Sequence, residues 1–133
     1  MSVELRMLTL SVVLGIVQIL AASHAASLQR GYRWTASPRD EKMEPLRGVA
    51  GRLDRALRNF LETFPLFAAV IVVAHLTATH NALTEWGAKL YFWGRLTYVP
   101  LYVAGVPLIH SLVWNVATIG IVLVMVALFF VSS

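Results

Sequence analysis

Residues 52–65 read RLDRALRNFLETFP, and this charged stretch leads directly into a long apolar segment. Arg55, Asn59 and Glu62 stand at positions i, i+4 and i+7, so a helix places them on one face. A charged side chain near the centre of a bilayer costs about 2.5–3.5 kcal/mol on insertion scales. Such a face has to turn toward other helices or a polar cavity, which makes it the best guide to what the chain does.

The composition is that of a helical membrane protein. The chain has 133 residues, of which 58% are hydrophobic and 14% charged, and its mean hydropathy is +0.70. Its apolar runs are continuous rather than alternating, which excludes a membrane β-barrel. Four of them are near or above the length of about 20 residues that crosses the hydrocarbon core as a helix. We therefore predict a single all-α integral membrane domain, 1–133, with spans at about 3–26, 52–79, 83–106 and 107–131.

The connections between these segments predict how the helices are arranged. A polar loop at about 27–51 joins the first two spans, whereas the turns at 80–81 and 105–107 are short. Short turns make neighbouring helices antiparallel, so the expected fold is an up-down-up-down bundle of four helices. Pro65 and Pro100 lie inside the second and third spans, where each removes a backbone hydrogen bond and is expected to kink its helix.

The first apolar segment has two interpretations. Ser23-His24-Ala25 loosely fits the small-x-small site at which a signal peptide is cleaved. However, Glu4 and Arg6 leave the beginning of the segment nearly neutral, and its apolar run is longer than a usual signal-peptide core. A retained membrane span is the favoured interpretation.

The positive charge is concentrated in one part of the chain. The net charge is +4, and residues 30–58 hold eight basic and four acidic side chains, while the few charges elsewhere balance. By the positive-inside rule, the first loop is predicted to be cytoplasmic and both termini to face the opposite side. The basic composition then reflects membrane topology, and no nucleic-acid partner is expected.

Cysteine and histidine usage restricts the possible chemistry. The chain has no cysteine, which excludes disulfides, a protein thiolate and cysteine metal sites. Its four histidines, at positions 24, 75, 80 and 110, form no HxxxH pair. His75 and His80 are expected in the membrane interface, and no metal site is expected.

A second polar stripe runs along the third predicted span. Arg95 lies within YFWGRLTYVPLY (91–102), with Tyr91, Tyr98 and Tyr102 at i−4, i+3 and i+7. From the predicted topology, this stripe and the charged face of the second span reach the same cytoplasmic end. The two are therefore expected to meet, and Glu62 is expected to pair with an arginine.

Two interpretations of this polar network stay open. In the first, Arg58, Glu62 and Arg95 form a satisfied ionic lock, and the tyrosines are interface aromatics. In the second, surplus arginines hold a small anionic ligand, because the four arginines of the two stretches face only Asp54 and Glu62 locally. Anionic membrane lipids could also neutralise the excess. The charge count favours the anionic ligand.

These features resemble the MAPEG family, the membrane-associated proteins of eicosanoid and glutathione metabolism. The resemblance rests on the length, the four spans, the basic loop and the Arg-x-x-Arg-Asn-x-x-Glu run at 55–62. It also rests on Arg95 and Tyr102 of the third span and on the Gly-x-Pro turn that precedes His110-Ser111. The resemblance covers nearly the whole chain.

What the resemblance implies is a homotrimer that binds glutathione near the cytoplasmic side, at the subunit interfaces. Glutathione carries two carboxylates and an ammonium, which arginine forks and a glutamate can bind. Position matching to the family, together with the Arg95 stripe, gives the predicted glutathione-binding residues, which are Arg30, Arg55, Arg58, Asn59, Glu62, Arg95, Tyr98 and Tyr102.

The predicted catalytic residues are Arg95, His110 and Ser111. The thiol of glutathione must be deprotonated to attack an electrophile, and a cationic or hydrogen-bonding group beside the sulfur favours that. Several catalytic family members have an arginine where this chain has His110, and histidine is only partly charged at neutral pH. The chain also has Leu57 where some synthases have a polar residue.

The favoured function is a glutathione-dependent transferase or peroxidase that acts on hydrophobic electrophiles entering from the bilayer. The alternative is a non-catalytic protein of the same fold that binds lipids or a partner protein, since the resemblance implies one fold for catalytic and non-catalytic members. A proton-coupled multidrug transporter is set aside, because Glu4 lies at the very end of the first span rather than deep within it.

Overall fold

A computed structural model describes residues 1–40 and 43–130, with Ile109 described by its backbone alone. Its five helices are α1 (Val3–Arg30), α2 (Tyr32–Ala36), α3 (Gly48–Leu76), α4 (Ala82–Val103) and α5 (Ile109–Phe130). The described residues contain no strand, so the all-α prediction is confirmed. Glu41 and Lys42 of the predicted loop, and Val131 at the end of the fourth predicted span, lie outside the described residues.

Local sequence signals explain where the long helices begin and end. The Ser2 hydroxyl accepts a hydrogen bond from the backbone N–H of Leu5 and so caps α1. That helix continues past its predicted end to Gly31, whose φ of +97° is a conformation that glycine adopts without strain. Asn81 and Thr84 form a capping box at the start of α4. The short helix α2 lies in the segment predicted as a loop.

Consecutive long helices run in opposite directions. The Arg47 N–H, just before α3, donates to the Gln29 side chain near the end of α1 at 3.0 Å. The Arg52 Nε, near the start of α3, donates to the Val103 carbonyl at the end of α4 at 2.7 Å. Gly87 and Gly94 of α4 lie against Gly120 and Ala117 of α5, respectively, so these two helices are also antiparallel. The structure therefore has the predicted alternation of helix directions.

The most extensive helix–helix contact joins α4 to α5. A Cβ atom built on Gly87 would lie 2.5 Å from the carbonyl oxygen of Gly120, and one on Gly120 would lie 2.5 Å from that of Gly87. Further along, a Cβ on Gly94 would lie 3.3 Å from Ala117. The two backbones touch because small residues face one another, as is common in membrane helix pairs.

The core is centred on α3. Phe60, Phe67 and Ile71 are almost completely buried there. The Phe67 ring stacks on Tyr91 of α4 with 4.0 Å between centroids, and the Tyr91 hydroxyl lies 3.0 Å from that of Thr63. Tyr91 is therefore a core residue, although its spacing placed it on the Arg95 stripe. Tyr91 lies one helical turn from Arg95 on the same face of α4, at a depth of the bundle where Phe67 and Thr63 of α3 contact it.

Among the described residues, three helices are long and apolar enough to cross a membrane. They are α1, α3 and the part of α5 from His110 onward. Helix α4, the third predicted span, has 22 residues and a length of about 33 Å. Helix α4 is long enough to cross a membrane but is not apolar enough, because Glu85, Lys89 and Arg95 make it polar. Exposed apolar side chains on the other helices, including Val17 and Leu66, form the outer surface expected to contact lipid.

Candidate functional site

The two predicted polar stripes meet at the end of the bundle nearest the basic loop. The Arg55 Nε of α3 donates a hydrogen bond to the Tyr102 hydroxyl of α4 at 2.9 Å. One turn further along α3, Asn59 Oδ1 accepts from the Arg95 Nη1 at 2.6 Å. The structure therefore brings together four of the predicted site residues, which were identified from two separate spans.

Among the described residues, Arg95 is the most completely buried charged side chain. Its exposed fraction is 0%, and its guanidinium carbon lies 4.3 Å from the Tyr98 ring centroid and 5.7 Å from that of Phe60. Among the described residues, its Nε and Nη2 have no hydrogen-bond partner. An unsatisfied buried donor is costly, so these two nitrogens, which carry three N–H bonds, suit an oxygen-rich ligand or ordered water.

A cavity of about 320 Å³ lies between the last turns of α4 and the first turns of α5, next to Asn59 of α3. Its lining residues are Asn59, Tyr98, His110, Ser111, Trp114 and Asn115. The His110 ring stands edge-on to Tyr102, with 5.2 Å between centroids, and Tyr98 stacks on Tyr102 at 5.4 Å. The predicted catalytic residues His110 and Ser111 therefore share a cavity with two predicted binding residues.

Sequence reasoning did not single out Trp114 and Asn115. They follow Ser111 at i+3 and i+4, so helical spacing from Ser111 would have found them once α5 was known to begin at Ile109. The Asn115 Nδ2 donates to the Ser111 carbonyl at 2.9 Å, which fixes the amide at the edge of the cavity. The indole of Trp114 adds an apolar surface to it.

A second cavity, of about 280 Å³, is lined by several arginines and is called the arginine cavity below. Arg30 from the end of α1 lines it together with Arg55 and Arg58 of α3, and Asp54 is its carboxylate. Arg58 pairs with Asp54 at 3.1 Å. The Arg30 Nε is buried and has no partner among the described residues. Three positive charges and one negative charge suit an anion. The Arg55 hydrogen bond to Tyr102 leads toward the first cavity, because the Tyr102 ring packs against the lining residues Tyr98 and His110.

Glu62 does not form the predicted pair with an arginine in the chain as the structure describes it. In residues 1–40 and 43–130, the ion pairs are Arg58–Asp54 and those of His80. Arg58 has two carboxylates one helical turn away, Asp54 before it and Glu62 after it, and it forms its ion pair with Asp54. Glu62 lies on the exposed face of α3. The ionic-lock interpretation is therefore wrong for the single chain.

A further polar cluster lies at the opposite end of the bundle. Donor atoms of Glu4, His80 and Glu85 lie within 4.8 Å of one another. The sequence prediction placed His80 in the membrane interface and expected no metal site. No local spacing could have joined it to Glu4, because 76 positions separate the two residues along the chain.

The family model described as the MAPEG family matches residues 7–130. The match includes both polar stripes and the arginine-lined cavity. No curated protein and no solved structure matches the chain.

Proposed function

Because the chain belongs to the MAPEG family, we propose that it is a membrane enzyme that transfers glutathione to hydrophobic electrophiles or uses it to reduce hydroperoxides. The observation that carries the proposal is the junction at Arg55. This side chain lines the arginine cavity and also donates to Tyr102, beside the cavity of His110 and Ser111. An anionic peptide and its thiol would need such neighbouring sites.

The two cavities divide the recognition of glutathione between them. The arginine cavity, with Arg30, Arg55 and Arg58, suits the carboxylates, because guanidinium groups bind carboxylates through paired hydrogen bonds. The unpartnered N–H groups of Arg95 and the amide of Asn59 suit the peptide groups. The residues present thus fit the chemical groups of the tripeptide.

His110 and Ser111 are the residues proposed to act at the sulfur. The thiolate is the attacking species, so a hydroxyl that donates to the sulfur, or a cation close to it, favours reaction. In the transfer, the thiol loses its proton, a sulfur–carbon bond forms, and the leaving group departs from the electrophile. Trp114 offers an apolar surface for that second substrate.

The proposal includes a homotrimer in which Glu62 is covered by a neighbouring copy. A lipid-facing carboxylate is costly, and Glu62 lies on the exposed face of a helix that is apolar enough to span the membrane. Light scattering of the detergent-solubilised protein should give the mass of three copies of the 14.7 kDa chain. A monomeric mass would contradict the trimer.

The proposed orientation places the basic loop in the cytoplasm and both termini on the other side. The chain has no cysteine, so a single cysteine introduced at the exposed Ser37 can report on the loop. A membrane-impermeant thiol reagent should label Ser37→Cys only after the membrane is opened. Labelling of intact cells would reverse the orientation.

A non-catalytic, lipid-binding protein is the second candidate. The observation that favours it is His110, which packs edge-on to Tyr102 in place of the arginine of several catalytic relatives. In that case fatty-acid-like ligands would co-purify with the protein, and no thiol turnover would occur.

The deciding experiment is calorimetric titration of the detergent-solubilised protein with glutathione, together with a conjugation assay on a generic aryl halide. We expect saturable binding and turnover. S-methylglutathione keeps both carboxylates but has no free thiol, so it should bind without being consumed. Absence of both binding and turnover would remove the transferase proposal and favour the lipid-binding one.

Replacement of His110 tests its role at the sulfur. If the imidazole assists thiolate formation, the pH profile of turnover should differ between the unmodified protein and His110→Ala. His75→Ala is the matched control, because His75 lies at the other end of the bundle. An unaltered pH profile in His110→Ala would leave this ring a packing residue.

A further inference from the structure

The end of the bundle opposite the arginine cavity contains a buried carboxylate. Glu4, in the first turn of α1, is 4% exposed. Its Oε2 accepts a hydrogen bond from His80 Nδ1 and lies 3.2 Å from the Thr84 hydroxyl. Its Oε1 is buried and has no partner among the described residues. The Thr84 hydroxyl can also donate to the Asn81 carbonyl, which is nearer at 2.9 Å. His80 is therefore the main hydrogen-bond donor to Glu4.

The other ring nitrogen of His80 faces a second carboxylate. His80 Nε2 lies 3.7 Å from Glu85 Oε1, in the first turn of α4. A protonated imidazole donates through both nitrogens, whereas a neutral one donates through only one. A metal ion would bind one ring nitrogen and bring both carboxylates to that side. Because Glu4 and Glu85 face different nitrogens, the arrangement suits a proton rather than a metal.

We propose that Glu4, His80 and Glu85 form a proton-operated clamp that fastens the start of α1 to the start of α4. The clamp joins segments that no short connection links, and His80 lies in the α3–α4 turn between them. It closes when His80 carries a proton and loosens when that proton is lost, because the ring then has no charge and can donate to only one of the two carboxylates.

Other titratable groups near the clamp come from α3 and α4. His75 of α3 lines the same cavity of about 80 Å³ as Glu4 and His80. Lys89, one turn beyond Glu85, places its ammonium 5.1 Å from the Trp86 ring centroid. His75 therefore provides the control substitution for His80 in the test below.

The direction of the pH effect follows from the surroundings of His80. The hydrogen bond to Glu4 and then its charge raise the pKa of His80 above 6.5, Glu85 adds to this, and desolvation opposes it. A pKa that is higher in the folded state gives stability that is fully present below about pH 6.5. That stability is lost as the pH rises through the folded-state pKa.

The test is a histidine NMR titration of the full-length protein in detergent micelles. We expect the His80 ring to titrate with a midpoint above that of a free histidine, and the midpoint to fall in Glu4→Gln. Glu85→Gln, at a less buried position, should lower the His80 midpoint by a smaller amount. This second variant keeps the test decisive if Glu4→Gln does not fold. His75→Ala should leave it unchanged.

Thermal unfolding of the same protein tests whether the proton acts on the fold. Between about pH 6 and pH 8, the Tm of the unmodified chain should fall by about 2–4 °C, and His80→Gln should lose this dependence. A His80 midpoint at or below that of free histidine, or an equal fall of Tm in His80→Gln, would overturn the clamp. A rise of Tm with added Zn²⁺ that His80→Gln abolishes would also overturn it, in favour of a metal site.

Discussion

Replacing Arg55 by alanine is expected to abolish measurable binding of glutathione. This side chain lines the arginine cavity, and its Nε donates to the Tyr102 hydroxyl at 2.9 Å. A hydrogen bond to a charged group contributes about 1.5–3 kcal/mol, which corresponds to a loss of about 10- to 150-fold in affinity. The substitution also frees the Tyr102 hydroxyl at the boundary of the two cavities. Calorimetric titration of the solubilised protein measures the effect directly.

Arg33 offers the matched control for Arg55. It is exposed on α2, it lines a different cavity, and Arg33→Ala removes the same charge from the same end of the bundle. Glutathione affinity in Arg33→Ala should stay within about twofold of the unmodified protein, as expected for an exposed charge. Equal weakening in both variants would show that the general positive field, rather than a built site, attracts the peptide.

Glu62→Ala is the companion variant in the same experiment. Because this carboxylate is exposed in the single chain, its loss should reduce glutathione binding only if a neighbouring copy completes the site. Unchanged binding in both Arg55→Ala and Glu62→Ala would rule out the assignment of this face to glutathione.

Replacing Gly120 by valine is expected to separate α4 from α5 and to unfold much of the protein. A Cβ on this residue would lie 2.5 Å from the Gly87 carbonyl oxygen and 2.8 Å from the Tyr91 nitrogen. Both neighbours are backbone atoms, so relief requires movement of a whole helix. Overpacking of this kind costs about 1–3 kcal/mol, and more where backbone atoms collide. The expected result is a lower Tm and a smaller yield of folded protein.

The control for Gly120 is its neighbour on the lipid-facing side of α5. Ile119 is 52% exposed, so Ile119→Ala should leave the Tm nearly unchanged. Gly87→Ala, on the other helix of the contact, should reproduce the loss seen with Gly120. A Gly120→Val protein with the Tm of the unmodified chain would contradict the close α4–α5 packing.

Much of the architecture follows from the sequence because it depends on local properties. Apolar runs of sufficient length form helices in a membrane, since each backbone N–H and C=O has to be satisfied within its own segment. Glycine and asparagine set helix ends at Gly31 and Asn81 through their own conformational and hydrogen-bonding preferences. The shared face of Arg55 and Asn59 follows from helical spacing alone, and the structure has it.

Three features of the sites were decided by the tertiary structure. Tyr91 and Tyr98 lie seven residues apart on one face of α4, and the neighbours at each depth of the bundle place Tyr91 in the core and Tyr98 at a cavity. Arg58 binds Asp54 rather than Glu62, although both carboxylates are one turn away. The contact between His80 and Glu4 requires the start of α1 to lie beside the α3–α4 turn.

The sequence by itself thus determined the helices, the position of the basic loop and the residues that carry polar chemistry, because these depend on composition and on spacing within one segment. The tertiary structure decided which of those residues meet. Contacts between distant segments depend on helix rotation and close approach, as at Gly87 and Gly120, and the spacing along one helix contains no information about the orientation of the next.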